Sequence, residues 1–421
     1  MKRIVAHELR KVMMSPLVLA LLVLFLLYNA AMLITGYGSM REDMAESNRL
    51  VSQYGHQIDE EMLTRLRNDY QDELQWMNRL TMRTEGRTFE NVSSLYESGN
   101  HHVEGSYDAS ERERLAKLLV METYLRYIAN IDPTYERLDP MKRAESEILK
   151  YGLHGELAET VRGHYRELAV RIDQLITNGE HKHLFFIGHI FKTHSLLFKT
   201  VFRTVLFEAT ILTVLLTGHL LSYEFERRTQ SLMYSTKRGR SLMFDKTVAA
   251  LLASLVVTTV LLGGTLAIYF ALFDYTGFWS VPISNALQAE YSWPFISFWE
   301  MTFGQYLLAS MALVYALALC FFGIASVLSF LFRNSYAVFC GFAVLFGICL
   351  LLTGIMPHDS NLLLVAGYTP SLLMMNSDFW WMEGGAFKSY RYYELITIAA
   401  WTVLLLASYA LVQRRFRKQD I

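Results

Sequence analysis

Six stretches of this chain run almost without charge for about 18 residues or more, near 16–37, 201–222, 247–272, 304–331, 336–356 and 394–412. A helix rises about 1.5 Å per residue, so about 20 apolar residues match the hydrocarbon thickness of a bilayer. That pattern predicts an all-α membrane protein with six transmembrane helices. The hydrophobic share of 52% decides nothing by itself, because a soluble protein can reach it. What decides is that the apolar residues sit in blocks and the charges between them. The formal net charge of −1 leaves no basic face to account for, which argues against a nucleic-acid partner. Cys320, Cys340 and Cys349 all lie inside apolar blocks, so the large polar segment is not a disulfide scaffold. The apolar run after Met1-Lys-Arg is too long for a signal peptide and lacks a small-residue cleavage pattern, so it reads as a retained first span.

Lys and Arg placement sets the expected orientation. The N-terminus carries Lys2, Arg3, Arg10 and Lys11, the loop 223–246 carries Arg227, Arg228, Lys237, Arg238, Arg240 and Lys246, and the tail carries Arg414, Arg415, Arg417 and Lys418. From Thr247 to Phe332 there is neither Lys nor Arg, and the loop 273–303 carries Trp279, Trp293 and Trp299 instead. Both termini, the loop 223–246 and the Arg333 turn are therefore expected in the cytoplasm. The segments 38–195, 273–303 and 357–393 are expected outside. Lys192, Lys199 and Arg203 at the outer end of span two run against this, but the rule counts short loops and forgives long translocated domains.

Three parts follow. Residues 1–37 hold an amphipathic N-terminal interfacial helix (Ile4, Val5, Leu9, Val12 and Met13 against the basic residues) and the first span. Residues 38–195 read as a helical extracytoplasmic domain between spans one and two, a bundle on two membrane stalks. Ile58, Met62, Leu66, Tyr70, Leu74, Met77 and Leu80 form one helical stripe. Ser110 and Glu113 read as a capping box, Asp139-Pro140 as a helix start with Gly152 as its stop, and a fourth helix runs from about Glu156 to Ile176. Residues 196–421 form a five-span transmembrane domain.

The most informative stretch is the loop YEFERRTQSLMYSTKRGRSLMFDK, Tyr223 to Lys246. It resembles the permeases of the type-2 ABC exporter family, which carry E-x-E-x-x-T-x-x-L-x-x-S-T after the second span, then an Arg, then a Lys before span three. Glu224, Glu226, Thr229, Leu232, Ser235, Thr236, Arg240 and Lys246 stand at the matching places. Arg228-Thr229 stands where that family usually has Gly-Thr, and Lys237 where it usually has Pro. Glu8 to Pro16 (E-L-x-K-x-x-x-S-P) is similar to the family's N-terminal helix, and Tyr368-Thr369-Pro370 to its outer loop before span six. The resemblance covers the six-span frame without 38–195. It implies that 223–246 is a coupling loop passing ATP-driven motion to the spans, on two ABC ATPase subunits. It also implies a second permease subunit, identical or homologous. No G-x-x-x-x-G-K-[ST] occurs in the chain, so ATP and Mg are expected on the partner ATPase and no cofactor in this chain. The location implied is a bacterial plasma membrane.

Within the spans, Glu208 either lines the translocation path or binds a cation, or else pairs with Arg203 or Lys199 near the interface. His219 is a second path candidate, though an interfacial residue by position. His181, His183, His189 and His194 do not share one helical face, which favours solvated histidines over a zinc site. Asn91-Val-Ser matches a glycosylation acceptor, a pattern frequent by chance. The segment Asp378 to Glu383 reads as short helices dipping into the outer interface. No HExxH or other catalytic constellation is present, and a mechanotransmitting permease would have four spans. The leading expectation is a permease exporting an amphipathic substrate, a peptide antibiotic or a lipid, with membrane lipid as a further partner. The alternative is a sensor of envelope-active peptides that reports through the same loop.

Overall fold

The computed structural model describes residues 2–36, 38–98, 106–184, 193–235, 239–287, 290 and 293–418. The regular secondary structure of those residues is helical, with no strand and only isolated bridges such as Gln57 to His183 and Ser297 to Met382. In chain order the helices are α1 (Lys2–Met13), α2 (Pro16–Gly36), α3 (Gly38–Tyr54), α4 (Glu60–Thr84), α5 (Val92–Glu97), α6 (Ala109–Ala129), α7 (Ile131–Glu136), α8 (Pro140–Tyr151) and α9 (Gly155–Thr177). A π-helical turn, Ser195–Val201, leads into α10 (Phe202–Glu226). Then follow α11 (Gln230–Tyr234), α12 (Leu242–Leu272), α13 (Phe303–Phe332), α14 (Ser335–Leu351), α15 (Leu362–Gly367), α16 (Pro370–Met375) and α17 (Tyr393–Lys418).

Six helices are long and apolar enough to cross a membrane: Pro16–Gly36, Ser195–Glu226, Leu242–Leu272, Phe303–Phe332, Ser335–Ile355 and Tyr393–Arg415. They match the six expected blocks. Span two starts earlier than expected because Leu196, Leu197 and Phe198 are buried. Span three starts at Leu242, which places Lys246 inside its helix. Span two is the hub: 72% of its core stretch is covered by protein, against 17% for spans one and five and 6% for span six. Spans one, five and six therefore leave most of their flanks uncovered by this chain.

The 38–184 region builds its own core. Met62, Leu66, Tyr70, Met77 and Leu80 of α4 are buried, as the stripe predicts, and Leu115, Leu118 and Tyr124 of α6 are buried with them. The expected capping box is displaced by two residues: Asp108, not Ser110, caps α6, accepting from Ser110 N at 2.8 Å and Glu111 N at 2.9 Å. A carboxylate upstream takes both amides, and Ser110 Oγ itself donates to Asp108 at 2.7 Å. Glu113 is then free to pair with Lys117. Asp139 caps α8 with Pro140 in its first turn, and Gly152 ends it in the left-handed region at φ 60°. Helix α9 starts and stops as expected.

The expectation of a domain standing on two stalks needs correction. The region is also clamped sideways onto both long segments between spans at this end of the bundle. Asn48 Nδ2 donates to the Asp274 carbonyl, and Gly277 N donates back to Asn48 Oδ1 at 3.0 Å. Arg171 makes a bidentate pair with Glu180 at 2.8 and 2.6 Å, and its Nε donates to the Ser297 carbonyl at 3.1 Å. Tyr165 donates to Glu383 at 2.6 Å. Glu147 of α8 accepts from Ala386 N at 3.3 Å, and a Cβ on Gly385 (φ 89°) would stand 2.7 Å from the Glu147 carboxylate, so only glycine fits there. In place of the short helices expected over Asp378 to Glu383 there is one tight turn, Ser377–Phe379, and Trp380 is buried against Phe202 of span two.

Candidate functional site

The basic end of the bundle gathers the sequence-marked residues. The last turns of α10 carry Tyr223, Glu224 and Glu226. Residues two apart on a helix point to nearly opposite sides, and the E-x-E spacing is used that way here. Glu224 turns inward and is buried. Lys246 of α12 is fully buried; its Nζ donates to Glu224 Oε1 and to the Leu220 carbonyl at 3.2 Å. Glu8 of α1 lies 3.7 Å from the same ammonium and is also buried. One cation thus ties three elements: the N-terminal helix, span two and span three. A buried ammonium is tolerated only when paired and hydrogen-bonded, so this cluster fixes how the three helices meet. Beside it, Lys11 Nζ sits 3.4 Å from the centroid of the Tyr223 ring, a cation–π contact from α1 to span two.

Glu226 faces the other way. Its carboxylate accepts from Ser335 N at 2.6 Å and from Ser335 Oγ, while Asn334 Oδ1 accepts from Ala337 N at 2.9 Å. An anion at a helix N-terminus is favourable, and this one joins the end of span two to the start of span five.

Between the two acids and Lys246 the chain makes a stop and a short helix. Arg228 ends α10 at φ 55°, in the left-handed region. Glycine, which the resemblance puts at this place, takes that conformation without strain. Thr229 N donates to the Glu224 carbonyl at 2.9 Å and closes the turn. Helix α11 follows, with Leu232 exposed at 70% and Ser235 Oγ donating back to the Leu232 carbonyl. Arg240 lies in the tight turn Gly239–Ser241 that opens span three. Thr236, Lys237 and Arg238 lie outside the described residues, as do Lys192 and His189. So the structure brings Glu224 and Lys246 together, sends Glu226 to span five, and leaves Thr229, Leu232 and Ser235 on the exposed turn. Glu8 and Ser335 complete the site. Glu8 was visible only as one letter of the N-terminal pattern, and nothing in the sequence marks Ser335.

Glu208 lies elsewhere in span two, in a separate polar contact. Asn29 of span one, itself fully buried, donates to Glu208 Oε2 at 2.8 Å and to Thr265 Oγ1 of span three at 3.0 Å. The expected pairing with Arg203 or Lys199 does not form: Arg203 donates to the Met375 carbonyl at 3.3 Å, and Lys199 lies 3.4 Å from Asp378. Five residues along a helix is about 140° around it, so Arg203 points away from Glu208. His219 is further down the same helix, edge-on to Tyr223 at 5.6 Å and lining a groove of about 350 Å³ with Val12, Leu215, Ser335 and Phe339. Eleven residues is about 16 Å of helix, so Glu208 and His219 do not share a site.

The described histidines go to different partners. His181 lies against Tyr135 and 3.7 Å from Asp132, His183 stacks on His56 at 5.3 Å, and His194 contacts the Asp378 carbonyl at 2.8 Å. Asn91 caps α5 through its own side chain, accepting from Ser94 N at 2.8 Å.

Six spans, a central second span and a buried charge cluster where its basic end meets the N-terminal helix define a multi-pass α-helical membrane protein of the permease class. A family model described as ABC-2 family transporter protein matches residues 3–421, and the chain belongs to that family. It is a permease component of an ABC transporter, a class that works with ABC ATPase partners. The match runs through 38–195 as well as the six-span frame. Neither a curated relative nor a solved structure matches the chain.

Proposed function

We propose that this permease exports an amphipathic substrate, a peptide antibiotic or a lipid, across a bacterial plasma membrane. Both termini and the 223–246 loop face the cytoplasm in this reading, and 38–195 faces out. Two ATPase subunits dock on the loop of each permease pair, the second permease being an identical or homologous chain. The observation that carries the reading is the Glu8–Lys246–Glu224 cluster. A push on α11 reaches span two through Thr229 and Glu224, span three through Lys246, the N-terminal helix through Glu8 and span five through Glu226. A rigid, many-ended joint of this kind transmits motion instead of absorbing it. An apolar cavity of about 350 Å³ between spans three, four and six, lined by Leu251, Leu319, Phe322, Leu405 and Leu406, suits the hydrocarbon part of such a substrate.

Affinity purification from the native membrane tests the coupling. An ABC ATPase is expected to co-purify with the wild-type chain and to be lost with Leu232→Asp, because an exposed leucine on a short helix is the natural anchor for a groove on the partner. Wild-type protein that brings down no ATPase overturns the reading. In liposomes, ATP-dependent movement of the substrate is expected. Ligand-stimulated ATP hydrolysis without movement favours the sensor instead.

Glu208→Gln tests the path. The amide keeps an oxygen for Asn29, and an interhelical hydrogen bond of this sort contributes about 0.6–2 kcal/mol in a membrane. Normal abundance and normal transport are expected if Glu208 serves to tie span one. Normal abundance with transport lost makes its charge part of the path.

A further inference from the structure

Glu208 is a carboxyl inside a span with no cation to answer it. It is 4% exposed and meets Asn29 of span one and, through that amide, Thr265 of span three. Asn29 and Thr265 each stand seven residues before the end of their helices, Gly36 and Leu272, so the contact lies about 10 Å inside the domain-side end of the bundle. Spans one, four and five hold no Asp, Glu, Lys, Arg or His. The charged residues of span three, Asp245 and Lys246, lie about 28 Å or more along the helix from Thr265. On span two, Lys199 and Arg203 turn to Asp378 and the Met375 carbonyl, and His219 is about 16 Å away. Tyr28, beside Asn29 in the chain, is exposed, and Tyr269, one turn after Thr265, shares a hydrogen bond of 2.6 Å with Tyr275. A bare carboxylate in this place would be held by one neutral amide, which does not offset its desolvation.

The hydrogen bonds point the same way. Asn29 has two amide hydrogens and gives them to Glu208 Oε2 at 2.8 Å and Thr265 Oγ1 at 3.0 Å. Among the described residues, no donor reaches its Oδ1 or Glu208 Oε1, and both atoms are buried. These are the remaining oxygens of the same two planar groups. Two acceptors cannot satisfy each other, but one hydrogen between them serves both. A protonated carboxyl donates through one oxygen and accepts at the other, and an amide offers the complement, so the two can close a ring of two hydrogen bonds. We propose that Glu208 and Asn29 form a proton-binding site, with Glu208 Oε1–H donating to Asn29 Oδ1 while Asn29 Nδ2–H donates to Glu208 Oε2. The site is walled by this chain's own spans. Asn29 is one of three buried residues on span one, with Val18 and Leu33, and a Cβ on Gly264, next to Thr265, would stand 3.0 Å from Leu26. Glycine there lets spans one and three approach closely beside the amide. The consequence is a coupling between position and charge. While span one is packed, the proton is held and the contact is neutral. When span one parts from span two the ring opens, and the acid can release its proton to entering water.

Infrared spectroscopy of the full chain in lipid nanodiscs tests this, at neutral pH with choline as the only added cation. The wild-type spectrum minus that of Glu208→Gln is expected to contain the carbonyl stretch of a protonated carboxylic acid, moving to lower frequency in D2O. Carboxylate stretches in its place overturn the proposal. Asn29→Leu takes the amide away and is expected to shift that band, whereas an unmoved band overturns the pairing. Added sodium chloride is expected to leave the band in place. Its replacement by carboxylate stretches overturns the assignment to a proton and makes the site one for a metal cation. Should the glutamine variant fail to accumulate, Glu208→Asp takes its place: it keeps the acid on a shorter side chain, so a shifted acid band is expected, and a difference spectrum without one overturns the proposal. The measurement needs no ATPase and no substrate, so its failure leaves the export reading standing.

Discussion

Lys246→Met is expected to be the most damaging single change at the basic end. It keeps the volume and removes the ammonium that Glu224 and Glu8 share in a buried place. Removing one partner of a buried ion pair costs about 3–5 kcal/mol, because the carboxylate left behind must be desolvated without compensation. The measurable results are a much lower amount in the membrane and a lower melting temperature in detergent. Adding Glu224→Gln to Lys246→Met should recover part of that loss, since one of the two stranded carboxylates is then neutral while Glu8 remains. A Lys246→Met protein with normal abundance and melting would show that the cluster does not hold the helices. The double variant separates folding from coupling: restored abundance with ATP-driven transport still absent assigns Lys246 a share in transmission.

Arg171→Leu is the corresponding change at the other end. The guanidinium is buried, holds Glu180 by two parallel hydrogen bonds and reaches the Ser297 carbonyl between spans three and four. Its loss strands Glu180 and frees α9 from that segment, again at about 3–5 kcal/mol. Hydrogen exchange should quicken in α9 and in 293–302 while α4 and α6, which have their own core, stay protected. Unchanged protection around Ser297 would mean that the other contacts hold the domain there, such as Asn285 Nδ2 donating to the His183 carbonyl at 2.6 Å and Ala286 N to the His181 carbonyl at 3.2 Å. Adding Glu180→Gln should restore part of the protection, because a neutral amide is cheaper to bury than a lone carboxylate.

The helices between spans one and two were largely legible because their boundaries are written locally. Asp139-Pro140 and Gly152 mark α8 through residues that do the capping themselves. The misplaced box at α6 shows the limit of such signals: Asp108 and Ser110 are both good caps, and a spacing pattern does not choose between them. The site was half legible. Glu224, Glu226 and Lys246 stand out by motif, but Lys246 looked like a loop cation because a lysine counts against a span, and only its buried partners let the helix begin before it.

What the sequence determined by itself is the number and order of the spans and the presence of a helical segment between spans one and two, since both follow from residues near one another in the chain. Length and apolarity make a span, and period and caps make a helix. The tertiary structure alone decided which polar groups meet. Asn29 answers Glu208 across 179 residues, and Tyr165 answers Glu383 across 218. Hydropathy averages such residues away, and no local period encodes a partner on another helix. In a bundle of apolar helices, packing leaves many crossings nearly equal in energy. Here the sparse buried hydrogen bonds and ion pairs, each costly if left unmade, join span one to spans two and three and the 38–184 region to the segments between spans.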